Sequence, residues 1–375
     1  MDNPRSITDL PIEVLDLIFK HLIYMNYKVE LAKVHKKLTK AFGYHSKNEF
    51  RTLKVTRWFS DESFLLIIQE CGHTTEELVF DRSCDFWNDI LIEAVTKYCT
   101  NLKSFKAVLY RSDSDQIFTF LEKTKKILLS VSLEQREQFP LEILKVVGEM
   151  TQLKELSVKG YIDENVYEIQ KLVALEKLNI EHHYYLEKPD VNILRICSSL
   201  NKLRELTINN VHIMSCEEPH SKIWADLETL KLIICALTPE IPDCPNLKVL
   251  DTHYLRKSNE GYILKFILKN GRTLTTLYER CHPPIDANGF LQLLRGCPNL
   301  RYLYTPLEYI KLYAAYVSTI VDILRENDVT PENPFELVVC RRIKWKWFRR
   351  LVSAISYDVL NVGSFEPLAP SDTKC

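Results

Sequence analysis

Glycine is scarce in this chain: nine residues in 375, never adjacent to one another. Nothing resembles the glycine-rich loop whose backbone wraps a phosphate, so nucleotide chemistry of that kind is excluded. The eleven cysteines include no Cys-x-x-Cys pair, which removes the usual zinc-ribbon and dithiol signatures. Scattered single thiols suit a reducing compartment, and cytosol or nucleus is the expectation. Met1 to Leu10 contains charges and a proline and does not read as a secretory leader. The longest uncharged apolar stretch near the C-terminus, Leu312 to Val321, falls far short of the ~20 residues that cross a bilayer, and no membrane partner is expected. Net charge is nearly absent too, at -1 overall, so no global field draws the chain toward a polyanion.

What is plentiful is leucine at a fixed beat. One leucine is followed three residues later by another at Leu153/Leu156, Leu175/Leu178, Leu203/Leu206, Leu227/Leu230, Leu247/Leu250, Leu274/Leu277 and Leu300/Leu303, with starts 22, 28, 24, 20, 27 and 26 residues apart. The beat extends backwards through Leu128/Val131, Leu102/Phe105, Thr75/Leu78 and Phe50/Leu53, making about eleven turns. In the middle turns an apolar residue follows at the next alternate position, as in Leu178 then Ile180 and Leu206 then Ile208. A period of two marks a short strand with one buried face. No single unit of this size buries its own apolar edge, so the turns must stack.

A return period in the twenties resembles the leucine-rich repeat, with a strand and a helix per turn. The phrases Cys99-Thr-Asn-Leu102, Cys244-Pro-Asn-Leu247 and Cys297-Pro-Asn-Leu300 are similar to those of its cysteine-containing subclass, common in F-box proteins. The N-terminal stretch breaks the beat. Leu10, Val14, Leu15, Ile18, Phe19 and Leu22 fall at helical spacing behind Pro11, and Leu31, Val34, Leu38 and Phe42 mark a second amphipathic helix. Some forty residues make no self-sufficient core. Either the helices cap the solenoid, or they show a face to an outside partner, or both.

The phrase from Leu10 to Leu22, with its Leu-Pro, Glu13, Val-Leu and Ile-Phe, closely resembles the opening of the F-box. Leu38 stands where that family has tryptophan. The resemblance implies docking on the Skp adaptor, and through it on cullin and RING subunits, by Leu10, Pro11, Val14, Leu15, Ile18, Phe19 and Leu22, with Val34 and Leu38 secondary. It implies a non-catalytic substrate receptor of a ubiquitin ligase, with an unknown protein as substrate. The alternative is a leucine-rich-repeat scaffold or inhibitor with no ligase role.

The expected fold is therefore α/β: a small all-helical F-box at 1–45, a solenoid with a curved parallel sheet and outer helices at 46–310, a helix-strand-helix cap at 311–357 and a loose tail at 358–375. Helices are expected over Glu62–Cys71, Ile90–Cys99, Gln116–Lys123, Pro140–Met150, Val191–Leu200, Glu260–Lys269 and Asn288–Cys297, with irregular connections at His212–Ile223 and Ala236–Pro245.

If the strand leucines point inward, their neighbours point to the concave face. Early and middle turns place Glu155, Ser157, Lys177, Asn179, Glu205 and Thr207 there. Late turns place Asp251, His253, Tyr278, Arg280, Tyr302 and Tyr304 there, and tyrosine and arginine are frequent anchors of protein contacts. These six are the candidate substrate-binding residues. Other constellations are weaker. His212, Cys216 and His220 are spaced for one helix face, but Pro219 interrupts it and no fourth ligand is near, so no metal is expected. Cys281-His282 has no orienting third group, no enzyme activity is expected, and no cofactor is called for. His182-His183 reads as a solvated turn. The run Arg341 to Arg350 holds six basic and three aromatic residues. Trp345, Phe348, Val352 and Ile355 continue an apolar helix face, which leaves the cations as its solvated side, with a nucleic-acid backbone or an acidic membrane surface as the weaker reading.

Overall fold

In the computed structural model the described residues are 6–55, 60–80, 88–214, 224–238, 240–257, 261–280, 284–355 and 358–364. The chain divides into two compact units, Met1–Leu172 and Val173–Cys375.

The first unit opens with three helices, α1 (Ile12–His21), α2 (Met25–Lys33) and α3 (Lys36–Ser46). Two were expected. The spacing of Leu31, Val34 and Leu38 suggests one continuous helix, but His35 is fully extended and its Nδ1 accepts from the Lys37 amide at 3.2 Å. That cap starts a new helix and leaves Val34 in solvent. Leu15, Phe19, Val29, Ala32, Leu38, Ala41 and Phe42 make the buried centre of the trio. A polar chain ties the helices together: Lys28 Nζ donates to His45 Nε2 at 2.8 Å, and His45 Nδ1 therefore donates to Asp16 at 2.7 Å. α3 packs on α4 (Asp61–Cys71), so the trio covers the first turn of the repeat array.

Among the described residues of this unit five strands follow: β1 (Thr52–Val55), β2 (Glu77–Phe80), β3 (Ser104–Leu109), β4 (Ser130–Gln135) and β5 (Glu155–Gly160). All are parallel and aligned so that Leu53, Leu78, Phe105, Val131 and Leu156 sit side by side. Each is the second member of its sequence pair, and all five are buried. Between strands run α4, α5 (Asp89–Tyr98), α6 (Ser114–Thr124) and the short α7 (Ile143–Val147), each packed on the next.

The second unit repeats the plan. β6 (Lys177–His182) is followed by β7 (Asp190–Val191), α8 (Ile193–Cys197), β8 (Glu205–Asn209), β9 (His212–Ile213), β10 (Thr229–Ile233), β11 (Ala236–Leu237), β12 (Val249–Asp251) and β13 (Arg256–Lys257). Then come α9 (Tyr262–Lys269), β14 (Thr276–Tyr278), α10 (Ala287–Gly296), β15 (Tyr302–Thr305), α11 (Ala314–Glu326), β16 (Phe335–Val339), α12 (Arg342–Ile355) and β17 (Leu360–Ser364). The main sheet runs β6-β8-β10-β12-β14-β15-β16-β17. Its strands are parallel, with Leu178, Leu206, Leu230, Leu250, Leu277, Leu303, Leu337 and Val362 in one row. The fold is that of an α/β leucine-rich-repeat solenoid, and in each unit every expected beat carries a strand of a parallel sheet.

Two findings differ from the sequence expectation. Residues 360–364, assigned to a loose tail, form β17 and pair with β16 from Phe335↔Leu360 to Val339↔Ser364. The connections at 212 and 236 are not irregular at their starts: β7, β9, β11 and β13 build a small second parallel sheet. Four residues after each strand leucine, Asn210, Ile234 and Tyr254 adopt left-handed backbone (φ 56, 55 and 53°), and the next short strand starts two residues later. Their amides donate onward to Ile233, His253 and Arg280 carbonyls at 2.9, 2.7 and 2.8 Å, which offsets the conformational cost.

The Cys-x-Asn-Leu phrases have a visible cause. Asn101, Asn246 and Asn299 side-chain amides donate to the carbonyls of His73, Ala225 and Arg272 in the preceding turn, at 2.6, 2.9 and 2.6 Å. Cys99, Cys244 and Cys297 lie buried beside them, and burial raises each thiol to about 12. At Gly271 a Cβ would come 2.2 Å from the Gly296 carbonyl oxygen, so only glycine permits that approach.

Candidate functional site

The N-terminal trio divides its apolar residues between two faces. Of the residues that the F-box resemblance assigns to a partner, Leu15, Phe19 and Leu38 are buried among the helices themselves; Phe19 meets Phe42 and His45 with ring centroids 6.0 and 5.9 Å apart. Leu10, Ile18 and Leu22 are half-buried, while Pro11, Val14 and Val34 are exposed. The outward face holds further residues that the sequence reading passed over. Leu17 is 55% exposed, Ile23 87%, Tyr24 62% and Tyr27 56%, against 73% for Val34. Leu17 stands three residues after Val14, a spacing that puts both on one side of α1. Tyr24 and Tyr27 form an edge-to-face pair at 5.6 Å at the start of α2. The trio thus has a satisfied interior and an unsatisfied apolar exterior, which soluble proteins keep small unless something covers it.

The late strands bring all six candidate concave-face residues together. Register places Asp251, Tyr278 and Tyr304 side by side on β12, β14 and β15. Tyr278 lies 5.4 Å from Tyr302 and 6.0 Å from Tyr304, and His253 stacks on Tyr304 at 5.9 Å. Arg280 closes the cluster. Its Nη1 donates to His253 Nε2 at 3.0 Å, and its guanidinium lies 4.4 Å over the ring of Tyr254. Because arginine only donates, Nε2 is an acceptor and His253 is neutral. Burial, and then the nearby Arg280 charge, hold the His253 pKa below its ordinary value. Burial also raises Asp251, whose Oδ1 accepts from the His253 amide at 3.0 Å. Tyr304 is buried and pushed up to about 12, whereas Tyr278 and Tyr302 are half-exposed. Tyr254 was missed, since its left-handed backbone carries it out of the strand alternation that located the others.

This surface is aromatic, pre-set by ring stacking, and carries one cation with no carboxylate partner among the described residues. It has the composition of a contact anchor. By contrast, the turns at Lys177 and Glu205 neutralise each other across strands at 3.2 Å.

The weaker constellations resolve differently. His212 uses both ring nitrogens, on Asp190 at 2.7 Å and Thr238 at 2.8 Å; Cys216, His220, Cys281 and His282 lie outside the described residues. His182, expected in a solvated turn, is buried at the end of β6, and burial lowers its pKa. In α12 Phe348 is fully buried, and Trp345 Nε1 donates to the Val362 carbonyl at 3.3 Å.

No known protein-family model matches the chain, and no curated protein matches it by sequence. Among solved structures it is similar to the yeast Rad7 and Elc1 complex, with 16% identity, TM-score 0.49 and coverage of 88% of this chain and 88% of that one. It is also similar to an internalin (inlF) from Listeria monocytogenes str. 4b F2365, at 12% identity and TM-score 0.45, covering 84% and 97%. A further likeness is to the leucine-rich-repeat ectodomain of the plant membrane receptor kinase GASSHO1/SCHENGEN3 from Arabidopsis thaliana, at 14% identity and TM-score 0.40. That match covers 76% of this chain, which spans about a third, 32%, of the plant ectodomain's length.

Proposed function

We propose that this chain is the substrate-recognition subunit of an SCF-type cullin-RING ubiquitin ligase, working in the cytosol or nucleus. In this reading the outward face of the N-terminal helices holds the Skp adaptor, and the aromatic face of the late strands holds the target protein. The chain itself makes and breaks no bonds. It raises the local concentration of target lysines near a loaded conjugating enzyme, and proximity supplies the rate. The observation that carries the proposal is the apolar exterior of the trio: Val14, Leu17, Ile23, Tyr24, Tyr27 and Val34 remain in solvent although the helices already have a core. A cap alone needs only the inner contacts of α3 with α4.

Co-expression with the Skp adaptor tests this. The wild-type chain is expected to co-elute with it, and Leu17→Asp plus Val34→Asp to abolish co-elution with the fold intact. The competing reading is an interaction scaffold without a ligase role, favoured by the packing of α3 on α4, which makes the trio a sufficient end cap. Absence of any wild-type co-elution would select that reading.

A further inference from the structure

The stretch from 341 to 357 contains six basic residues and no acidic one. The amino-acid pattern alone assigns these cations to solvent; the structure shows what accompanies them there. α12 is anchored on its inner side by Phe348, fully buried, and by Trp345 on β17. Two of the cations are tied down: Arg341 is paired with Glu308, and Lys344 Nζ donates to the Ile310 carbonyl at 2.6 Å. Lys346, Arg349 and Arg350 are exposed and, among the described residues, have no carboxylate partner. On the same outer side stand two large apolar residues, Ile343 at 76% exposed and Trp347 at 59%. Positions 343, 346, 347 and 350 follow one another at helical spacing, so apolar and cationic groups share one stripe.

We propose that this outer stripe of α12 is a peripheral docking surface for an anionic lipid bilayer. Exposed tryptophan beside an aliphatic residue suits the headgroup boundary, where an indole keeps its ring apolar and its N–H wet. Lysine and arginine flanking it meet acidic headgroups, and the missing acidic residues remove the repulsion that would oppose this. A nucleic-acid backbone complements the cations equally but gives Ile343 nothing to enter. A flat bilayer accepts a protruding pair of side chains without needing a groove. This proposal is independent of the receptor reading.

The test uses the full chain and co-sedimentation with vesicles of phosphatidylcholine alone or with about a third phosphatidylserine. Binding is expected only to the second kind, weakening as salt rises from ~0.1 to ~0.5 M. Each of Lys346→Gln and Arg350→Gln is expected to reduce binding roughly fivefold. Ile343→Ser with Trp347→Ser is expected to reduce it at least ~10-fold with an unchanged melting temperature, since both side chains are already in water. Equal binding to neutral vesicles overturns the proposal, as does no vesicle binding by the wild type. Salt-sensitive RNA retention that survives the double serine change, without vesicle binding, assigns the stripe to nucleic acid instead. Vesicle binding that emerges only after deletion of residues 365–375 shows that the chain's own tail covers the stripe, and likewise overturns it.

Discussion

The N-terminal trio allows fold and contact to be separated on a single helix, α1. Phe19 is fully buried against Phe42 and His45. Truncating such a phenylalanine to alanine costs about 3–5 kcal/mol, combining lost transfer energy with an unfilled cavity. In a cooperative unit of the size of Met1–Leu172, each kcal/mol moves the midpoint by roughly 2–4 °C, so Phe19→Ala should lower Tm on the order of 10 °C. Leu17 is two residues away but 55% exposed. Leu17→Asp removes little buried area and should change stability by less than about 0.5 kcal/mol. In the complex the same change puts a charge into a dry apolar contact, a loss of at least about 2 kcal/mol, or roughly 30-fold in Kd. Thermal melting of both variants, with titration calorimetry against the Skp adaptor well below either midpoint, reads the two quantities separately. The reasoning fails if Leu17→Asp melts as early as Phe19→Ala, because the outward face is then part of the core. It fails equally if Leu17→Asp leaves the adaptor affinity within about threefold of wild type.

On the late strands, Arg280→Ala or Tyr278→Ala plus Tyr302→Ala should each lower capture of a bound target at least about 10-fold, while Lys177→Ala should not; equal loss in all three, measured by pull-down with the identified target, would dissolve the idea of a localised anchor. His253 gives a pH dependence. Its folded pKa lies below 6.5 through burial and then Arg280, with Asp251, Tyr254 and Tyr304 also facing it. The unfolded chain takes up that proton first, so this stability is whole above about pH 6.5 and is lost as pH falls through the folded value. His253→Gln should flatten the decline of Tm between about pH 7 and 5, and an unchanged slope would contradict the assignment. Gly271→Ala forces a methyl onto the Gly296 carbonyl and should cost about 2 kcal/mol, visible as a fall of several degrees in melting; a neutral outcome would show that the two turns separate easily.

Much of this architecture was readable because it rests on single side chains repeated at strand spacing. Every second-position residue from Leu53 to Leu303 occupies its row, and even the poor pair Leu128/Val131 does so. The side-by-side placement of the six candidate residues on the late strands follows from the same alternation. Features that escaped have no periodic signature. Two-residue strands such as β11 and β13 are too short to alternate, and the left-handed corners before them are occupied by Ile234 and Tyr254, residues that ordinarily avoid that conformation. His35 ended a helix that the apolar spacing continued, because an extended backbone and one amide contact outweigh pattern over two residues. The face of the trio was assigned by resemblance, which names positions without saying which ones the helices spend on each other. Hence Leu15 and Phe19 fell inside, and Leu17 was overlooked.

The side-chain hydrogen bonds to carbonyls of the neighbouring turn span 21 to 28 residues: Thr75 to Phe50, Asn101 to His73, Asn246 to Ala225 and Asn299 to Arg272. Loop closure is thus nearly the same small entropic task at every step. A ribosome adding ~5–20 residues per second delivers the material for each new coil within a few seconds of its predecessor. The growing chain can wind onto what has already emerged, with each fresh greasy edge hidden almost as soon as it appears.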